Sequence, residues 1–354
     1  MFALHPVLNL CQRILTCVGM LSNVLLINLV IFQSPKDLGL YKYLMVYISC
    51  FELFFSTLEI LVLPELITLD SEFFIVVNPE HSYLPQQFLQ FVDLLYCGSF
   101  AVSLVIFSCQ FAYRYQVLKG NSSWVATKPM NLFFWLGTPL LLASFYSFFV
   151  HEFLQKNDFC DVVLRELGYS EDLISDMGFY GMVFYPKLKD GTFLINWISF
   201  LGVSVTTGTL IASEITMIYF AYKCFDATKS LIKKGNCSSN FRRLQWQLFY
   251  ALVAQTTIPI LFMQIPMTMI YFSTMVLKSS KPFFGHLQSI TISIYLATDT
   301  LPTIFIIKHY RDTVMRMICF WKKGSMYKVG PRQLHVTESS HSKHLHASII
   351  STHL

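Results

Sequence analysis

The chain has 354 residues, of which 54% are hydrophobic and only 13% charged, and its mean hydropathy is +0.51. Soluble domains carry about 25% charged residues, so a soluble enzyme or binding module is excluded and a polytopic membrane protein is indicated. The net charge of +5 is no nucleic-acid signature, because its placement matters more than its size.

Seven apolar segments are each long enough to cross a bilayer, at approximately 10–32, 43–64, 88–113, 132–150, 193–222, 247–276 and 285–307. About 20 helical residues span a hydrocarbon core about 30 Å thick. The fold class is therefore read as an all-α membrane protein, a seven-transmembrane helix bundle over 1–320 followed by a polar tail, 321–354, without fixed structure. The start, MFALHPVLNLCQRILTCVGM, has neither a basic n-region nor a small-residue cleavage site, so the first span is expected to act as its own targeting signal. Between the first two spans, Gln33–Gly39 is a short loop broken by Pro35 and Gly39, whereas long polar loops are expected at 65–87 and 151–192. Past the seventh span, RDTVMRMICFW (311–321) predicts a short amphipathic helix that places Cys319 where palmitoylation occurs. Lys322 and Lys323 next to it favour anionic membrane lipids.

An odd number of spans puts the termini on opposite sides, and lysine and arginine set the orientation. With the N-terminus outside, 19 of the 26 lysines and arginines face the cytoplasm, while Asp158, Asp161, Glu166, Glu171, Asp172 and Asp176 face outward. The expectation is an extracellular N-terminus and a cytoplasmic C-terminus. Two glycosylation patterns, Asn121-Ser122-Ser123 and Asn236-Cys237-Ser238, then fall on cytoplasmic loops and are expected to be bare.

The third span, FLQFVDLLYCGSFAVSLVIFSCQFAYRY (88–115), closes on Tyr113-Arg114-Tyr115. Tyrosine and arginine suit a membrane–water boundary, so the triplet is either an interfacial anchor or a cationic switch at the end of a central helix. Charges inside spans are costly: Glu52 and Glu59 on the second, Asp93 on the third, Glu214 on the fifth and Asp299 on the seventh. Each is either a structural acid, neutral or hydrogen-bonded to a neighbouring helix, or a functional one, the outer acids meeting a ligand and the inner ones joining a movable polar network. Pro139, Pro259, Pro266 and Pro302 interrupt the fourth, sixth and seventh spans and mark hinge positions.

Of nine cysteines, Cys97 and Cys160 form the one pair placed to meet outside, as a disulfide from the third span to the loop after the fourth. The others read as small apolar fillers. No catalytic constellation, Walker loop or zinc spacing is present, so no enzyme activity, cofactor or metal is expected, and the tail histidines His335, His341, His344, His346 and His353 read as solvated. Seven-helix bundles leave an outer cavity. Asp93, Tyr96 and Phe100 share one face of the third span at spacings of three and four. At similar depth lie Trp197 and Phe200 on the fifth, Gln264, Met267 and Tyr271 on the sixth, and Glu59 on the second. Aromatic and Met walls suit a small, weakly polar molecule.

Four stretches, SPKDLGLYKYLMVYISCFELFFS (34–56), LYCGSFAVSLVIFSCQFAYRY (95–115), LFYALVAQTTIPILFMQIPM (248–267) and SIYLATDTLPTIFIIKHYRDTV (293–314), together resemble the nematode Str class of seven-transmembrane chemoreceptors, which includes the worm odorant receptors. Their order and spacing agree with that class, and they leave out the fourth and fifth spans and the tail. The resemblance implies detection of a small-molecule odorant or pheromone at the plasma membrane, in the cilia of chemosensory neurons, coupled to a heterotrimeric G protein. Arg114 resembles the arginine that ends the third helix of rhodopsin-like receptors, although Tyr113 stands where an acid normally precedes it. Asp299 matches the family's seventh-helix acid; the prolines usual at the positions of Leu296 and Thr300 are missing, with Pro302 nearby, and Gln110 stands where histidine is common. The implied G-protein face joins Tyr113, Arg114 and Tyr115 to Lys233, Lys234, Arg242 and Arg243, with Asp299 and Pro302 as switch residues. A ligand-gated cation channel would have the opposite orientation, against the charge split, and a transporter would favour an internal repeat, of which there is none.

Overall fold

A computed structural model describes residues 5–35, 38–39, 41–120, 129–188, 191–233 and 238–326. In lipid each backbone N–H and C=O must be satisfied within its own segment, so the apolar runs close into helices. The described residues contain seven helical spans long and apolar enough to cross a membrane. The first two are α1 (His5–Gln33) and α2 (Tyr41–Val62). After them, β1 (Glu65–Leu69) and β2 (Glu72–Val77) lead into α3 (Gln86–Lys119), the third span, and α4 (Pro129–Leu154), the fourth. Two short helices, α5 (Asp158–Glu166) and α6 (Glu171–Asp176), and the strand β3 (Gly178–Val183) precede the fifth span, α7 (Trp197–Lys233). Most spans run longer than their apolar runs because polar residues extend the helices past the hydrocarbon. The sixth, for instance, starts at Ser239, where the Ser238 hydroxyl accepts from the Phe241 amide.

That sixth span is not uniform. Helix α8 (Ser239–Pro259) passes into a π-helical stretch, Ile260–Gln264, then α9 (Ile265–Tyr271) and a second π-helical stretch, Phe272–Leu277. Pro259 and Pro266 lack an N–H and crowd the preceding carbonyls, and a widened turn absorbs both defects. The seventh span breaks likewise, α10 (Pro282–Thr298) giving way at Asp299 and Thr300 to α11 (Leu301–Ile306), with Pro302 in its first turn. The chain divides into two compact units after Thr313, within α12 (Lys308–Met326), where the amphipathic helix was expected; Cys319 is exposed on it.

α3 is the column of the bundle: 83% of its apolar stretch is buried, against 28% for α4. Against the other side of the bundle, α1 approaches α10 so closely that a Cβ on Gly19 would overlap the Leu296 carbonyl.

The two long loops, expected to be polar and irregular, instead meet in a three-stranded antiparallel sheet of order β1-β2-β3. Its register pairs Leu66 with Ile75 and Ile75 with Tyr180. Both sheet faces are apolar. One, through Leu66, Phe73, Ile75, Tyr180 and Met182, joins the core of the bundle. The other, through Phe74, Val76, Phe179 and Val183, packs on α5 and α6 around Cys160, Leu164, Ile174 and Met177. β1 rests on the start of α10, where only a glycine fits: a Cβ on Gly285 would fall on the Leu66 carbonyl.

Candidate functional site

Beneath the sheet lies a narrow cavity with a free volume of about 20 Å³, so a ligand larger than a water molecule must push its walls apart. α3 lines it with Tyr96, Cys97 and Phe100, and α9 with Met267 and Tyr271. Its roof is the inner sheet face, including Tyr180 and Met182. Burial pushes the Tyr180 phenol up to about 12, so the roof offers a neutral hydroxyl, bonded at 3.3 Å to His151 Nδ1. None of the described residues lining the cavity is charged.

Of the residues expected in this pocket, Tyr96, Phe100, Met267 and Tyr271 line it. Asp93 and Glu59 are buried beside it: Asp93 lies one turn before Cys97, and Glu59 sits next to the Tyr96 hydroxyl. Gln12 Nε2 and Ser293 Oγ donate to Glu59 Oε1 at 3.5 and 3.1 Å, joining α1, α2 and α10. Trp197, Phe200 and Gln264 are not among the lining residues. Trp197 begins α7 and is 72% exposed, a peripheral position suited to the membrane boundary, and Phe200 packs tilted against Phe184 and edge-on against Tyr185, with ring centroids 5.0 and 5.6 Å apart. Missing from the expectation were the fourth span's Tyr146, Val150 and Leu154, although their spacing of four marks one helix face.

The expected Cys97–Cys160 disulfide is not formed: both thiols are free. The sheet separates them, Cys97 lying in the cavity wall and Cys160 in the core under α5 and α6, where a Cβ on Gly181 would come within 2.9 Å of its sulfur. Burial pushes the Cys160 thiol up to about 12, which leaves it unreactive.

Deeper in the bundle, Glu52 and Asp299 lie side by side, with the Asn23 side chain next to Glu52. Gln255 Nε2 donates to Asp299 Oδ2 at 3.1 Å, and Thr303 Oγ1 donates to Gln255 Oε1 at 2.8 Å. Thr300 Oγ1 bonds Ser22 Oγ at 2.8 Å. These contacts tie α1, α2, α8, α10 and α11 together exactly where the seventh span breaks, and Pro302 opens the segment beyond. Glu214 is half-buried on α7, and its Oε1 has no hydrogen-bond partner.

At the other end of α3, Arg114 is only 3% exposed. Its Nη2 donates to the Gln245 backbone oxygen at 2.6 Å and to Gln245 Oε1 at 3.3 Å, and the guanidinium lies 5.8 Å from the Tyr41 ring centroid. An interfacial anchor would reach lipid and water; this arginine is enclosed by α2 and α8. Tyr113 packs edge-on against Trp135, and Tyr115 against Phe220. A crevice of about 370 Å³ opens beside Arg114, bordered by Tyr41, Val117, Phe241 and Leu248. Arg242 and Arg243 stand in the first turns of α8, and Lys233 ends α7. Lys234, Asn121 and Asn236 lie outside the described residues, as does the tail from 327. Among the described residues no group of three or more His, Cys, Asp or Glu side chains could hold a metal ion.

The chain is similar to several seven-helix receptors. The family model described as "Serpentine type 7TM GPCR chemoreceptor Str" matches residues 8–315. The G-protein coupled receptor str-217 of Caenorhabditis elegans is 29% identical over 312 residues, 87% of this chain and 89% of that protein. Serpentine receptor class r-10 of Caenorhabditis briggsae is 26% identical over 324 residues, 90% of either chain. Squid rhodopsin has the same fold, with a TM-score of 0.56 over 90% of this chain and 86% of its own, at 8% sequence identity. With its seven spans in place and the family match running from the first span to α12, the chain belongs to the Str family of serpentine seven-transmembrane G-protein-coupled chemoreceptors.

Proposed function

We propose that the protein binds a small external ligand in the cavity under the sheet and activates a heterotrimeric G protein at the opposite end of the bundle. Its N-terminus lies outside and its C-terminus in the cytoplasm, and it works as an olfactory receptor in the plasma membrane of a chemosensory cell, at the cilium.

The observation that carries this reading is that the same two spans connect both sites. α3 holds Tyr96 and Phe100 at one end and Arg114 at the other, and the sixth span holds Met267 and Tyr271 in α9 and the Gln245 carbonyl in α8. A ligand that pushes on α9 displaces the sixth span at its π-helical stretch, where its hydrogen bonding is already irregular. The far end of that span then draws the Gln245 carbonyl off Arg114 and widens the crevice for the G protein. A hydrogen bond to a charged group contributes about 1.5–3 kcal/mol, so the ligand must prefer the open arrangement by at least that much. The positive charge of Arg242 and Arg243 in the first turns of α8 suits the inner side of a membrane.

The test is expression in a sensory or heterologous cell with a calcium or cAMP readout, screened over an odorant panel, with a tag on each terminus. Arg114→Ala should keep surface expression and ligand binding and lose signalling; normal signalling from that variant refutes the assignment. Staining of the C-terminal tag, rather than the N-terminal one, on unpermeabilised cells refutes the orientation.

A further inference from the structure

The outer cavity is lined by the aromatic rings of Tyr96, Phe100, Tyr146, Tyr180 and Tyr271 and by no basic side chain. Asp93 is completely buried beside it, and neither of its carboxylate oxygens has a side-chain hydrogen-bond partner; the Tyr180 backbone amide is the group that faces it. Because Asp93 precedes Tyr96 and Cys97 by three and four residues, it shares the face of α3 that lines the cavity. Glu59, on the other flank of Tyr96, has an unpartnered Oε2. Neither acid belongs to any of the ion pairs seen among the described residues, such as His81 with Glu65 or Arg165 with Glu171.

We propose that the ligand is a small organic cation, an amine in its ammonium form, seated among the tyrosine rings with Asp93 and Glu59 as its counter-charges. This rests on the cavity being the ligand site. Ring faces attract cations, and the attraction grows as water is removed. A carboxylate buried without a partner is costly, so a ligand that brings the missing positive charge gains where a neutral one does not. An anionic ligand would meet the two acids with no basic side chain in the cavity to offset it and is disfavoured.

The test uses the purified full-length chain in nanodiscs and binding measured by thermal shift. Probes are matched in carbon skeleton: phenethylamine, phenethyl alcohol, phenylacetic acid and phenethyltrimethylammonium, with isopentylamine and isopentanol as an aliphatic pair. The amines and the quaternary ion should bind at least about tenfold more tightly than the alcohols. Asp93→Asn and Glu59→Gln should each weaken amine binding about ten- to hundredfold, as expected for loss of a charged partner, with alcohol binding little changed. Should either variant fail to fold, the charged and neutral probes on the unaltered protein still decide. If the alcohols bind as tightly as the amines, or both acid variants hold amines undiminished, the cationic assignment falls while the cavity stands as the ligand site. If no probe of any charge binds, both the assignment and the cavity reading are overturned.

Discussion

Glu72 opens the second strand of the sheet, paired with Leu69 on one side and Val183 on the other. Burial, helped by the charges of Asp70 and Glu166, pushes its carboxyl from 4.5 up to about 7, against the opposing hydrogen bond from the Ser71 hydroxyl. The folded protein therefore holds this proton more tightly than the unfolded chain. Below pH 4.5 both states are protonated and Glu72 has no pH-linked effect on stability. Between pH 4.5 and about 7 the unfolded chain has lost the proton and the folded one keeps it, so stability falls as pH rises. Above about 7 the penalty is complete. At about 1.4 kcal/mol per pH unit its ceiling is about 3 kcal/mol, and partial access to water screens this to about 1–2 kcal/mol. Glu72→Gln removes the ionisation while keeping the shape. In thermal unfolding of the purified receptor, the variant should melt at least about 2 °C above the unaltered protein at pH 8 and match it at pH 4.5. A difference that is the same at both pH values, or a variant less stable at pH 8, would refute the reasoning.

Gly285→Ala places a methyl on the Leu66 carbonyl and should cost about 1–3 kcal/mol, read as lower surface expression and melting temperature; a normal melting curve would mean that β1 does not rest there. Gln245→Ala leaves the 2.6 Å bond to the backbone oxygen in place, so it should raise basal signalling less than about threefold. Tyr41→Leu removes the ring facing Arg114, worth about 0.5–2 kcal/mol, and should raise basal signalling more; the opposite order counts against the proposal that Arg114 and the Gln245 carbonyl act as a latch. Because Cys97 and Cys160 are unpaired, a reducing agent should leave the melting temperature unchanged, and a drop of several degrees would reinstate the disulfide.

The seven spans were legible because length and apolar content are properties of one stretch at a time. The sheet was not, for the opposite reason. ELITL and EFFIVV are too short to weigh in a search for spans, and their partner, GFYGMV, lies about a hundred residues further along the chain. Once the strands pair, the alternation in EFFIVV assigns Phe73 and Ile75 to the bundle and Phe74 and Val76 to the helices above, which explains why no residue of β2 after Glu72 is polar.

The cavity was legible in part. On α3, spacings of three and four found Tyr96 and Phe100 on the correct face, and on the sixth span depth alone found Met267 and Tyr271 but also took in Gln264, which does not line the cavity. α7 is apolar nearly all round, and such a helix carries no mark of which face turns inward, so Trp197 was placed in a wall it does not reach. The same limit explains Arg114. Without an acid at position 113 the sequence offers that guanidinium no adjacent side-chain partner, and side-chain patterns do not reveal what a backbone carbonyl will do. The Gln245 oxygen meets the arginine from another span, and the Tyr41 ring covers it. A carbonyl cannot be deleted by substitution and has no charge for salt to screen, so a latch built this way can persist through changes of sequence that would break an ion pair.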